Sequence, residues 1–569
     1  MKVFGHQWPQ GFDINADRPA RRQRAHDASV AMRNAEVERK VQRGAGLSRV
    51  AQRRKHLGRT AQPLQTTRQQ ASAKQRQLPI PRAVPAADFG SPRWRQIGHP
   101  SGLEPGRYGE LRCDQNRDGH GRCALPARET LFGCQEKFIM VQQVSAPGPQ
   151  QRYDVDANDE SLPLLQDLMQ RFGDTCRVTS PGGDHDSVVI HNTDDIRHVL
   201  LGNRGNYVKG MALNRVRVLL GNGLMASEGE LWVRQRRMVQ PAFQTQVIRG
   251  FAPLMRRANA DLIERWAAEA ERGEPVNLTH DLSELALNIV LRALFSTDFE
   301  LLIDAEGSSP FDLLTKETRR DLAFAAKFRA LAHLVRAMID SRRKEQRIEM
   351  DLLSILMEAR DKDSGEAMPD RALVDEIMTL IVAGHETTAS TLNWTWYLLS
   401  QNPKVESRLH AAIAETKPAL ANEPPAECAY VEQVLQESMR LYPAGWLLSR
   451  RALGDDQLGG FHVPAGTEIF ICPYLLHRHE AHWDRPEAFD PERFAPAAVE
   501  ARDRFAYLPF SAGPRFCIGT TFSMAEMTMH LSMVARRFQL QYTGSEPPQA
   551  EFQINLRTKQ DIHMRLVAR

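Results

Sequence analysis

The chain has 569 residues, 42% of them hydrophobic, and a formal net charge of +4, so it can bury a sizeable core as one large domain or several smaller ones. Seven cysteines, Cys113, Cys123, Cys134, Cys176, Cys428, Cys472 and Cys517, are too few and too unevenly spread for a disulfide framework, which implies a reducing compartment. No apolar run approaches the roughly 20 residues that span a bilayer, and the amino terminus lacks the apolar stretch of a signal peptide, so a soluble, cytoplasmic protein without a membrane span is expected.

The charge is unevenly laid down. Residues 1–139 carry about 26 Lys and Arg against about 12 Asp and Glu, roughly +14, and the remainder is roughly −10. Up to about residue 150 the chain is rich in Arg, Gln, Ala and Pro, with runs such as Arg21-Arg22-Gln23-Arg24 and Arg53-Arg54-Lys55. Such a composition cannot offset its ordering entropy. A basic arm for nucleic acid would be marked by aromatic interleaving or a fold signature, and neither is present, so no nucleic-acid partner is expected. Residues 1–150 are read as a basic extension, either disordered or upstream of a true start near Met140, and residues 151–569 as the folded domain. Asp114, Asn116, Asp118 and Gly119 imitate a calcium-binding loop, but Leu125 stands where a bidentate Glu is needed.

From about residue 155 the texture becomes long amphipathic helices between short Pro/Gly-marked turns, with no internal repeat. The spacing predicts a helix over 162–172, a strand over 187–191, and a long apolar helix that opens after Pro369 with Asp370 as N-cap and stops at Asn402-Pro403. Inside that helix lies Ala383-Gly384-His385-Glu386-Thr387-Thr388. An acid and two hydroxyls in a buried helix cost several kcal/mol unless they find partners. They serve chemistry, or they mark a kink with Thr bonding back to a carbonyl.

The strongest signal is Phe510-Ser-Ala-Gly513-Pro-Arg515-Phe-Cys517-Ile-Gly519, followed by a helical pattern from Thr520 to Leu531. A cysteine alone is most often an inert core residue. Here Gly513 and Gly519 permit backbone geometry that lets a loop lie flat against a ligand, and a Cys at the mouth of a helix gains from the dipole and from unpaired N–H groups, which favour thiolate. Phe510 and Phe516 are placed to keep water from the sulfur, and Arg515 offers a charge-assisted bond to a carboxylate.

This stretch resembles the haem-binding signature of the cytochrome P450 family. The resemblance implies haem b held by Cys517 as the metal ligand, a thiolate that pushes electron density toward O–O cleavage. Ser511 stands where the family commonly has Gly, which stiffens the loop. The Ala383–Thr388 segment resembles the family's oxygen-activation motif, with Glu386 the acid and Thr387 the alcohol of a proton relay and Ala-Gly leaving room above the haem. Glu437 and Arg440 share one helical face, and with Arg493 of Pro491-Glu492-Arg493-Phe494 they are similar to the family's buried structural triad. Ala444 replaces a common Pro, so the pocket segment 445–449 is expected to run differently.

Trp232 and Arg236, four apart, and Arg450 match family positions that face the haem propionates, with Arg515 a third cation. The histidines of His477-Arg-His479-Glu-Ala-His482 are read as packing rather than as a metal cluster.

The resemblance covers roughly 155–569 and implies a mainly α (α+β) fold, a helical prism with a small β-rich region. It implies a monooxygenase that inserts one oxygen atom of O2 into an apolar organic substrate such as a fatty acid, terpenoid or steroid. After Cys517 only about 52 residues remain, too few for a flavin or nicotinamide fold. Electrons are therefore expected from a separate donor, a ferredoxin and its reductase, docking near Arg234 and Arg237. A peroxide-driven or rearranging enzyme would not need Glu386 and Thr387, and a haem-thiolate sensor would need an output module. The substrate pocket is expected along 219–225, 380–383 and 446–448.

Overall fold

The computed structural model describes residues 144–569 apart from 183–185, 212, 305–306, 317–321 and 417–427. The basic extension, apart from its last few residues, and the calcium-loop imitation lie outside the described residues.

The architecture is built around one helix, Asp370–Gln401. Its burial pattern explains its length: both faces are covered, and Leu373, Ile377, Ile381, Leu392, Trp394 and Trp396 are all buried. Four threonines along it are satisfied locally. Thr379, Thr387, Thr391 and Thr395 each donate to the carbonyl four residues back, at 2.7–2.9 Å, so the hydroxyls ride inside the apolar core without leaving the helix. Helix Leu278–Phe295 packs along it most extensively. Gly384 allows the close approach, because a Cβ there would lie 2.9 Å from Val290.

Helix boundaries follow the chain's punctuation. The helix predicted over 162–172 is Ser161–Phe172, and the one predicted from Thr520 runs to Arg537. The long helix is capped by Pro369, and Asp370 is its first residue rather than its cap. The Asp370 carboxylate instead pairs with Arg336 and Arg343, where a negative charge also suits the helix amino terminus.

The β-rich part is a five-stranded sheet in the spatial order Thr175–Thr179, Asp186–Ile190, Glu468–Ile471, Leu448–Ala452, Tyr207–Lys209. Asp186–Ile190 and Glu468–Ile471 pair in parallel and the other neighbours antiparallel. Val188, Ile190, Ile469 and Ile471 form a second core with Phe505, Leu508 and Ala512. The residues leading into Cys517 are thereby pinned against the sheet, while helix Thr520–Arg537 leaves it for the main core. No described helix is long and apolar enough to cross a membrane.

Candidate functional site

The loop 508–519 is closed by its own backbone. The Ser511 N–H donates to Leu508 O, the Phe516 N–H to Gly513 O and the Cys517 N–H to Phe510 O, at 3.0–3.1 Å. Gly513 has φ +70°, and a Cβ on it would lie 2.1 Å from the Leu200 carbonyl oxygen. Its lack of a side chain therefore seats the loop against protein. Gly519 has an ordinary φ of −82°, and only ordinary contact would follow from a Cβ beside Cys517 Sγ at 3.8 Å. The unusual backbone expected there sits instead at Ser511, with φ +61°. Phe510 is partly buried against the core, its ring 6.3 Å from that of Phe516, and Phe516 stays 41% exposed.

Cys517 is exposed, yet burial is the largest influence on its thiol and pushes it up. Protein atoms crowd the sulfur while part of the residue stays open. The N–H groups of Gly519 and Thr520, the Thr520 hydroxyl and the charge of Arg236 act against the shift. The expectation that the helix mouth alone would favour thiolate is therefore corrected: desolvation outweighs it.

Cations gather on one side of this loop. Arg236 Nη1 donates to Phe516 O at 3.0 Å. The Arg515 guanidinium lies 4.8 Å over the Trp232 ring and grips Glu228 with both nitrogens, Nη1 at 2.8 Å. Arg450 is buried, with Nη1 on Ser449 O, and burial together with the nearby Arg515 charge lowers it to about 10. Lys209, which sequence reasoning missed, is brought to about 7 by burial and by Arg515. Glu228, also missed, stands among them and accepts from the Lys209 N–H at 2.8 Å.

On the long helix, Glu386 and Thr387 are half-buried. Asn555 Nδ2 donates to Glu386 Oε2 at 3.0 Å, and the Thr387 hydroxyl donates to Ala383 O at 2.9 Å. The back-bonding alternative is thus present, in a helix that remains continuous. His385 is buried with Nδ1 on Ile381 O. Trp446, expected at the pocket wall, is fully buried, its Nε1 on Gln553 O at 2.7 Å.

The triad residues meet. Glu437 accepts from Arg440 Nε at 2.7 Å and Nη2 at 2.8 Å, and its Oε1 lies 3.4 Å from Arg493 Nε. Arg440, fully buried, also donates to the carbonyls of His477, Pro486 and Ala488. The three histidines do not converge. His477 bridges Arg440 O and the Leu508 N–H, and His479 pairs with Asp174. Arg234 and Arg237 are taken up by Asp361, Glu366 and Asp363.

The family model for cytochrome P450 matches residues 152–317 and 308–564. The chain is 36% identical to cyclooctatin synthase of Streptomyces melanosporofaciens over 366 residues, 61% of this chain and 78% of that one. It is 34% identical to cyclooctat-9-en-7-ol 5-monooxygenase of the same organism, again over 61% and 78%. The crystal structure of a cytochrome P450DA heme domain superimposes with a TM-score of 0.66 at 23% identity, covering 75% of this chain and 98% of that one; at that identity the likeness is one of fold.

The cofactor of the family is haem b. The residues fit such a group on two counts. Cys517 is accessible in the fold, and Arg236, Arg450 and Arg515 carry more charge than Glu228 balances. A dianionic edge would complete that balance. A thiol raised by burial is ionised outright once it coordinates a metal. The enzyme is a cytochrome P450 monooxygenase, and by family match over most of its length and by fold the chain belongs to the cytochrome P450 family.

Proposed function

We propose that Cys517 is the thiolate ligand of the haem iron, that Glu386 and Thr387 handle protons on the opposite face, and that the substrate is an apolar organic molecule. The observation that carries this reading is the Cys517 sulfur, accessible in the fold and backed by the N–H groups of Gly519 and Thr520. When bound, haem supplies the redox chemistry that puts one atom of O2 into the substrate and releases the other as water.

The chain's own residues divide the remaining work. Trp232, Arg236, Arg450 and Arg515 hold the carboxylate edge of the cofactor, with Glu228 fixing the Arg515 fork. Phe510 shields one side of the sulfur, and Gly513 seats the loop. Glu437, Arg440 and Arg493 lock the segment beneath it. Asn555 orients the Glu386 carboxylate. The Thr387 hydroxyl, donating to Ala383 O, keeps its lone pairs to accept a hydrogen bond, and after rotating it can release its own proton as it takes up the incoming one.

Substrate class rests on likeness. One relative is named for oxidising cyclooctat-9-en-7-ol, and a ring-bearing alcohol or hydrocarbon of that kind is the class we assign here. Enzymes of the family draw electrons from an external donor; here we assign a ferredoxin-type protein. Because Arg234 and Arg237 are engaged within the chain, they contribute less to its docking than free cations would.

Carbon monoxide added to the reduced, haem-loaded protein tests the ligand. The long-wavelength absorption shift of a thiolate-ligated haem is expected, and its loss in Cys517→His. A shift that survives that substitution would overturn the assignment. For the relay, coupled turnover undiminished in Thr387→Ala would remove Thr387 from it.

A further inference from the structure

The segment 221–227 has no regular structure, yet Gly223, Leu224, Ala226 and Ser227 are buried. It is tied down by side chains from four elements. Asp375 Oδ2 accepts from the Asn222 N–H at 2.8 Å, and Glu376 Oε2 accepts from the Leu224 N–H at 2.9 Å. Lys209 Nζ donates to Leu224 O at 2.9 Å and to Ser227 O at 2.8 Å. Arg217 Nη2 donates to Ala226 O at 2.6 Å, and Gln235 Nε2 to Asn222 O at 2.9 Å. Leu224 is therefore held by both of its backbone polar groups, one by an acid from the long helix and one by an amine from the sheet's edge strand.

The strap lies directly on the helix. A Cβ at Gly221 would come within 2.3 Å of Asp375 Oδ1, and one at Gly223 within 2.3 Å of Thr379 Oγ1. Glu376 sits seven residues before Ala383, about 10 Å along the helix axis. Immediately after the strap, Glu228 grips Arg515, two residues before Cys517. The strap thus runs from the long helix to the cysteine loop and walls the space between them.

We propose that Glu376 and Lys209 are positioning residues that clamp Leu224 and so fix strap 221–227, setting the size of substrate the site admits. The inference rests on the reading of the site given above. Its chemistry is unusual enough to call for a function. Glu376 is fully buried, with its second oxygen, Oε1, lacking a hydrogen-bond partner, and burial drives both Glu376 and Lys209 toward about 7 from opposite directions. A packing role alone would be filled better by Leu and Met at those positions.

The test uses the full chain loaded with haem and the variants Glu376→Leu, Lys209→Met and Glu376→Gln. Amide hydrogen exchange across 222–227 should accelerate on the order of tenfold or more in the first two, the scale of one lost charge-assisted hydrogen bond. In Glu376→Gln, which keeps an acceptor, it should stay near wild type. Spectral titration with imidazole, 4-phenylimidazole and clotrimazole reads selectivity. The clotrimazole-to-imidazole Kd ratio should fall on the order of tenfold in the Leu and Met variants, with imidazole itself unchanged. Gly223→Ala, which leaves both clamp residues intact and forces the strap off Thr379, should shift the ratio in the same sense. Unaltered exchange in both Leu and Met variants overturns the clamp. So does faster exchange with a ratio that stays put or rises, or a Gly223→Ala ratio that does not fall. A protein in which no azole perturbs the spectrum would instead refute the haem-site reading, while the exchange data would still decide the clamp.

Discussion

Ser511→Gly should stabilise the protein, and the size of the gain can be worked out from the structure. Ser511 adopts φ +61°, a left-handed backbone that costs an L-residue roughly 1–2 kcal/mol. Its Oγ is buried without a hydrogen-bond partner, a desolvation cost of about 1–3 kcal/mol. Against these, glycine's greater freedom in the unfolded chain costs about 0.5–1 kcal/mol. The net expectation is a gain of about 2 kcal/mol. Urea unfolding of the haem-loaded protein reads it: with a slope near 3 kcal/mol/M, the midpoint should rise by roughly 0.7 M. Ser511→Ala separates the two contributions, because it removes the hydroxyl and keeps the backbone strain, so it should recover only the hydroxyl share. A Ser511→Gly midpoint at or below wild type would refute the strain reasoning, and equal midpoints for Ala and Gly would assign the gain to the hydroxyl alone.

Arg440→Met should destabilise by about 3–5 kcal/mol, because it strands the Glu437 carboxylate in the core; an unfolding midpoint within error of wild type would contradict the triad's structural role. Arg450→Met should speed haem transfer to a scavenger globin by on the order of tenfold to a hundredfold, the scale of one lost charged hydrogen bond of about 1.5–3 kcal/mol, while an unchanged rate would remove Arg450 from the anchor. Acid lability should include a share from His530, one of several buried histidines, whose Nε2 accepts from Trp396 Nε1 at 3.0 Å while Nδ1 meets Asn259 Oδ1 at 2.8 Å. Burial lowers this imidazole from 6.5 to about 3, so the unfolded chain takes the proton first. The stabilisation is complete above pH 6.5 and is lost, on the order of 5 kcal/mol, as pH falls toward 3. In His530→Gln the slope of stability against pH across that window should shrink by up to one proton, and identical slopes would exclude His530 as a source.

What could be read in the sequence was what the sequence keeps contiguous. The cysteine loop, the Glu386-Thr387 pair and the Glu437–Arg440 pair each lie within a few residues, so their spacing carries their geometry. The long helix was legible because its apolar run ends at Pro369 and Asn402-Pro403. The partners of these residues were not. Glu228 meets Arg515 across 287 positions and Asn555 meets Glu386 across 169, and neither leaves a periodic trace. That Gly384 also lets a second helix approach is visible only in the fold, which brings Val290 against it. Arg234 and Arg237 looked free because the acidic loop that takes them up, 361–366, is far away in the chain.

The protonation of Cys517 shows how these local and distant effects combine. Sequence alone points to the helix mouth and to thiolate, and the N–H groups of Gly519 and Thr520 do act in that direction. Burial acts the other way and is larger, because Leu508 and Ala512 draw the loop under the sheet. On the proposed assignment, the sulfur is therefore anionic only when it coordinates a metal, whose charge exceeds anything the N–H groups supply. Burial of the loop thus opposes ionisation before metal binding and strengthens every electrostatic contact to the sulfur afterwards.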